Sequence, residues 1–179
     1  MGRVKRDRAI LLSGMMGSGK SSVGRALAKR VGWKFIDTDE RVESERGLKV
    51  TEIFRQEGEA SFRQLERSVL ESLPGRNAVV ALGGGAVIAA ETRSLLRTKG
   101  TLVWLEAKPE TLAARIGSRD SRPLLAGAEG AGRIERLRTL QAERAEAYGS
   151  AEVRVSTDEK SVEEVCSAVL VALGWEKAA

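Results

Sequence analysis

Apolar and polar positions alternate along the chain in blocks whose period switches between strand and helix. Ala9-Ile10-Leu11-Leu12 is an unbroken apolar run ending in Ser13-Gly14, the mark of a strand buried on both faces. From Lys20–Val31 the residues Val23, Ala26, Leu27 and Val31 fall on one helical face, and Gly32 closes the segment. Lys34-Phe35-Ile36 reads as a second strand, ending in Asp37-Thr38-Asp39. Residues 41–46 and 50–56 read as short helices broken at Gly47 and Gly58, and 60–73 as a longer one stopped by Pro74-Gly75. Residues 78–82 form a third strand before Gly83-Gly84-Gly85, 91–98 a helix, and 101–105 a fourth strand. Pro109 suits the first turn of a helix running to about Ile116. Residues 117–132, rich in glycine and containing Pro123, read as a mobile loop, and 133–148 as a charged helix. Residues 153–155 form a fifth strand, and Ser161-Val162-Glu163-Glu164 is a capping box opening the last helix.

Strands that alternate with helices predict an α/β fold with a parallel sheet covered on both faces. Ligands of such sheets bind at the carboxyl ends of the strands. The glycine-rich and acidic turns singled out above lie at those ends.

Composition narrows the chemistry. The chain has 179 residues, enough for one domain with a single core, and neither repeats nor an interdomain linker interrupt it. No apolar run is long enough to span a bilayer, and no signal-type apolar region follows the basic start. Gly2 is followed by Arg6 where a myristoylation motif needs Ser or Thr. A cytoplasmic location without membrane contact is expected. The single cysteine, Cys166, lies in a Val162, Val165, Cys166, Val169 stripe that marks it as a core residue. There is no histidine, so proton transfer falls to a carboxylate. The net charge of +5 fits either a nucleic-acid surface or an arginine-rich cleft for phosphates and carboxylates. The basic residues are dispersed among glutamates and few aromatics are present to stack on bases, so no nucleic-acid partner is expected.

Gly14-Met15-Met16-Gly17-Ser18-Gly19-Lys20-Ser21 matches the phosphate-binding loop pattern, between a strand and a helix as that loop requires. Its backbone N–H groups and the helix N-terminus would cradle phosphates, Lys20 would bridge the β- and γ-phosphates, and Ser21 would ligate Mg²⁺. No guanine-specificity motif is present. Asp37 and Asp39, one residue apart on an extended chain, would point to opposite sides, one toward a metal and one toward a hydroxyl; a turn or helix-capping pair is the other reading. Arg63 and Glu66 are helical neighbours, either a surface ion pair or a guanidinium held still for a carboxylate. Gly83-Gly84-Gly85 is either a tight turn or a place where backbone approaches a ligand. Arg122, in the loop, has the reach to close over a transferring phosphate.

In this order and at these separations, the phosphate loop, D-T-D at 37–39, F-R-x-x-E at 62–66, G-G-G-A at 83–86, R-P-L-L-A-G at 122–127 and E-R-x-x-x-Y at 143–148 resemble the shikimate kinase family over about residues 9–172. The resemblance implies an adenylate-kinase-like P-loop kinase: a five-stranded parallel sheet, a substrate-binding helical segment at about 38–75 and a lid at about 117–132. It implies transfer of the γ-phosphate of ATP to the 3-hydroxyl of shikimate by a monomer. Asp39 would hold the shikimate hydroxyls and act as base, with Lys20 and Arg122 on the phosphates. Asp37 and Ser21 would order Mg²⁺, and Gly17, Ser18, Gly19 and Ser22 would complete the nucleotide site with Arg115 and Arg154 at the adenine. Arg63 and Arg144 would grip the carboxylate, steadied by Glu66, with Phe54, Phe62 and the backbone of Gly83, Gly84 and Gly85 around the ring. A gluconate-type kinase on the same fold is the alternative.

Overall fold

The computed structural model describes residues 6–116 and 130–176. Five strands, β1 (Ala9–Ser13), β2 (Lys34–Asp37), β3 (Ala78–Ala81), β4 (Gly100–Glu106) and β5 (Val153–Ser156), form one sheet in the order β2-β3-β1-β4-β5. Every pairing in it is parallel. The helices are α1 (Lys20–Val31), α2 (Thr38–Arg46), α3 (Val50–Glu71), α4 (Ala90–Lys99), α5 (Pro109–Ile116), α6 (Gly130–Gly149) and α7 (Val162–Ala172).

The unbroken apolar runs became the centre of the sheet. β1 and β3 are buried throughout and β4 up to Glu106, whereas the edge strand β5 alternates, with Val153 and Val155 inward and Arg154 and Ser156 outward. One face carries Ile10, Leu12, Val79, Val103 and Leu105 against Leu27 of α1 and Val165, Cys166 and Val169 of α7. The other carries Leu11, Val80, Leu102 and Trp104 against Leu96, Leu112, Leu137, Leu140 and Tyr148 from α4, α5 and α6. Burying each Leu or Ile contributes roughly 2 kcal/mol. A smaller core of Val42, Ile53, Phe62 and Val69 joins α2 to α3. Cys166 is buried, as its stripe predicts, and burial pushes its thiol pKa up.

Two elements differ from the pattern reading, and a third holds to it. α2 starts at Thr38 rather than Arg41, because the Asp37 side chain accepts from the N–H groups of Asp39 and Glu40 and so caps the helix. The break expected at Gly58 is present: its backbone is non-helical (φ 82°, ψ 172°), and the helical segments on either side run together as α3 across a kink there. α6 starts at Gly130, so 130–132 belong to a helix; the remainder of the expected loop, 117–129, with Arg122, lies outside the described residues. No described helix is long and apolar enough to cross a membrane.

Candidate active site

The strand order places β1 between β3 and β4, and the crevice above its carboxyl end receives the turns that follow β1, β2 and β3. A cleft of about 1170 Å³ opens there. That exceeds the volume usual for one small ligand, so two molecules have room to lie end to end.

At one end lies the phosphate loop. α1 begins at Gly19 in the left-handed region (φ 91°), no side chain caps its first turn, and no acidic residue lies there. Its uncapped N–H groups and dipole favour an anion. Lys20 folds over the loop, its ammonium donating to Gly14 O and Met15 O at 2.9 Å each. Ser18 Oγ is buried without a hydrogen-bond partner. The Ser21 hydroxyl donates to Asp37 Oδ2 at 2.7 Å, while Asp37 Oδ1 caps α2.

The extended geometry expected for Asp37-Thr38-Asp39 is therefore corrected. Asp37 ends the strand and Asp39 already sits in the first turn of α2, and it is the helical turn that separates their directions. Between them Thr38, fully buried, accepts the Gly83 N–H at 2.8 Å and ties α2 to the glycine turn after β3.

That turn is shaped by the side chains pressed against it. A Cβ on Gly83 would stand 2.6 Å from Asp39 Oδ1 and 2.8 Å from Glu66 Oε1; one on Gly85 would stand 2.8 and 2.9 Å from the Arg63 guanidinium nitrogens. Arg63 donates to Glu66 Oε2 at 2.8 Å and to Glu59 Oε1 at 3.1 Å, and its guanidinium lies 5.4 Å from the Phe62 ring centre. Phe62 and Phe54 pack with ring centres 4.7 Å apart. Glu66 is 4% exposed, and its second oxygen, Oε1, has no hydrogen-bond partner. Burial pushes the Glu66 carboxyl above its ordinary range, more than the neighbouring Arg63 charge pulls it down. Partial burial works against the Arg63 charge, but Glu66 and Glu59 outweigh it and hold the guanidinium protonated. Across the cleft Arg144, 8% exposed, points Nη1 at Gly84 O.

The end of the cleft expected to take the adenine differs from expectation. Arg115 reaches the cleft, donating to Thr157 Oγ1 at 2.8 Å and Thr157 O at 2.7 Å. Arg154 does not: it is on the outward side of β5, paired with Glu106 and lying 4.6 Å over the Trp104 ring. The cleft is lined there instead by Thr157, Lys160 and Ser161, which the sequence reading missed. The available signal was position, since they follow the carboxyl end of β5.

An anion cradle with a lysine at one end, and arginines beside a carboxylate at the other, suits phosphoryl transfer from a nucleotide to a hydroxyl of a small acid. The family model described as shikimate kinase matches residues 16–174. The shikimate kinase of Symbiobacterium thermophilum is 46% identical over 165 residues, covering 90% of this chain and 93% of that one. The structure of the Acinetobacter baumannii shikimate kinase in complex with shikimate superposes with a TM-score of 0.85 at 31% identity, covering 96% of both chains. A gluconokinase from Sinorhizobium meliloti, with a TM-score of 0.58 at 24% identity, shares the fold alone. With the match running from within the phosphate loop to beyond α7, through the Arg63–Glu66 pair and the Arg144 helix, the chain belongs to the shikimate kinase family.

Proposed function

We propose that this kinase transfers the γ-phosphoryl group of ATP to the 3-hydroxyl of shikimate, giving shikimate 3-phosphate and ADP, in the cytoplasmic route to chorismate and the aromatic amino acids. The observation that carries the reading is the convergence of Asp39, Glu66 and Arg63 on the glycine turn, facing the phosphate loop across one cleft. Arg63, steadied by Glu66, and Arg144 hold the shikimate carboxylate, while Phe54 and Phe62 wall the ring. Asp39 accepts the hydrogen bond of the reacting hydroxyl. The hydroxyl oxygen forms a bond to the γ-phosphorus as the bond from that phosphorus to the bridging oxygen of ADP breaks, and Asp39 receives the proton. Lys20 and the N–H groups from Gly17 to Ser22 stabilise the charge on the phosphate oxygens, which in such a loose transition state matters more than the strength of the base. Arg115 serves the adenine end. Arg122 is assigned to the transferring phosphate by the family pattern.

The residues present fit Mg²⁺. Ser21 and Asp37 offer hard oxygen donors side by side at the loop. No group of three or more His, Cys, Asp or Glu that could hold a metal exists among the described residues; phosphates and water would complete the shell. When bound, the ion would neutralise charge on the β- and γ-phosphates. A coupled ADP-release assay with and without shikimate tests the function. ADP release should depend on shikimate; release that is independent of it, or that gluconate supports equally, refutes the reading.

A further inference from the structure

Helix α6 sends two side chains to one backbone carbonyl. Arg144 and Tyr148 lie one helical turn apart. The Tyr148 hydroxyl donates to Gly84 O at 2.7 Å, and Arg144 Nη1 approaches the same oxygen at 3.4 Å. Tyr148 is fully buried, stacked on Trp104 with ring centres 5.8 Å apart, and its hydroxyl lies 3.5 Å from Met15 Sδ in the phosphate loop. The phenol therefore touches all three parts of the cleft that must keep their spacing: the loop, the glycine turn and the arginine. Burial pushes its pKa up, against the pull of the Arg144 charge, so the hydroxyl stays a donor at working pH.

We propose that Tyr148 is a positioning residue for the acidic substrate: by supplying the donor that Gly84 O needs, it keeps the Arg144 guanidinium directed into the cleft. A carbonyl shielded from water takes the nearest donor available. With the hydroxyl gone, that donor is Arg144, whose long contact shortens into a full bond. The guanidinium then serves the protein's own backbone rather than a carboxylate ligand. The proposal rests on the reading that Arg144 grips the shikimate carboxylate.

Tyr148→Phe keeps the ring on Trp104 and removes only the hydroxyl. Its KM for shikimate should rise about tenfold, the scale of one lost hydrogen bond. The KM for ATP and kcat should stay within about twofold. Arg144→Ala alone should weaken shikimate binding, and adding Tyr148→Phe to it should weaken binding no further. The chain has one tyrosine, so biosynthetic 3-fluorotyrosine labels this position alone. The labelled enzyme keeps the hydroxyl and should keep the parental KM, and its ¹⁹F resonance should move on saturation with shikimate. That measurement stands even where Tyr148→Phe does not fold. A parental KM for shikimate in Tyr148→Phe, full additivity in the double variant, or a fluorine resonance indifferent to shikimate overturns the proposal. A parent enzyme that does not phosphorylate shikimate overturns the function instead, before the tyrosine is touched.

Discussion

Replacing Gly83 with alanine separates the fold from the chemistry. Gly83 lies outside the left-handed region, so its backbone accepts alanine without strain. The added Cβ, however, would stand 2.6 Å from Asp39 Oδ1 and 2.8 Å from Glu66 Oε1. To regain an ordinary contact of about 3.4 Å, those oxygens have to withdraw by roughly 0.8 and 0.6 Å. Both are the ends of side chains that can rotate, so the fold yields cheaply. The loss of unfolded-chain freedom at this position returns about 0.4–1 kcal/mol, and Tm should change by only a few degrees. Catalysis has no such tolerance. Glu66 carries Arg63 with it through their 2.8 Å bond, so base and clamp shift together. A misplacement of about 1 Å costs on the order of a hundredfold. Gly83→Ala should therefore lose about a hundredfold in kcat/KM for shikimate, roughly 2.7 kcal/mol of transition-state stabilisation, with the KM for ATP little changed. Steady-state kinetics beside a thermal melt decides it. A kcat/KM within threefold of the parent refutes the geometric reasoning, and a large fall in Tm would place the cost in the fold.

Arg63→Ala should cost several kcal/mol, about a hundredfold or more in kcat/KM for shikimate, because a desolvated carboxylate loses its charged partner; turnover within threefold of the parent removes the clamp assignment. Asp39→Asn should depress kcat by on the order of a hundredfold, whereas Asp37→Asn, which still caps α2 but loses its charge beside Ser21, should raise the Mg²⁺ needed for half-maximal rate. A magnesium titration of both variants checks this, and the reverse pattern would exchange the two roles. Glu66 holds a proton more readily in the fold than in the unfolded chain, so its contribution favours the fold at acid pH and is lost as pH rises through its raised value. Glu66→Gln should accordingly lose less Tm than the parent between pH 4 and 7, and a steeper loss would mean that the Arg63 charge outweighs burial.

Much of the scaffold was legible because its determinants are local. The central strands are consecutive apolar runs, α1 is bounded by glycines on both sides, and the capping box at Ser161 forms as written. The break at Gly58 was legible and the backbone there is non-helical, but the packing of Ile53, Phe62 and Val69 from both sides of it on Val42 was not. The Arg63–Glu66 pair follows from helical spacing, yet its burial does not, because the element that covers Glu66 comes from Gly83. The Thr38–Gly83 bond joins residues 45 apart and leaves no trace in either local pattern. Helix capping was the second reading of the Asp37 and Asp39 pair, and Asp37 does cap α2 through the N–H groups of Asp39 and Glu40. Arg154 was misplaced: strand alternation in Val153-Arg154-Val155 puts the arginine on the outer side once the valines face the core.

The all-parallel sheet also governs how the molecule comes into being. Ile10 pairs with Val79, Ala9 with Gly100, Lys34 with Ala78 and Val103 with Val153, and none of the described pairings is a hairpin. Each pairing closes a long loop before it returns any energy, which slows folding. β1 leaves the ribosome before the other strands but gains its second neighbour only after residue 100 has been made. Until then its apolar run has only β3 and nearby helices for cover, and its open edge is exposed to aggregation or chaperone capture. The phosphate loop hangs from that strand, so a nascent chain carries no weak early version of the nucleotide site. Nucleotide affinity should switch on late in synthesis, in one step, and a chain truncated before β4 should lack it altogether.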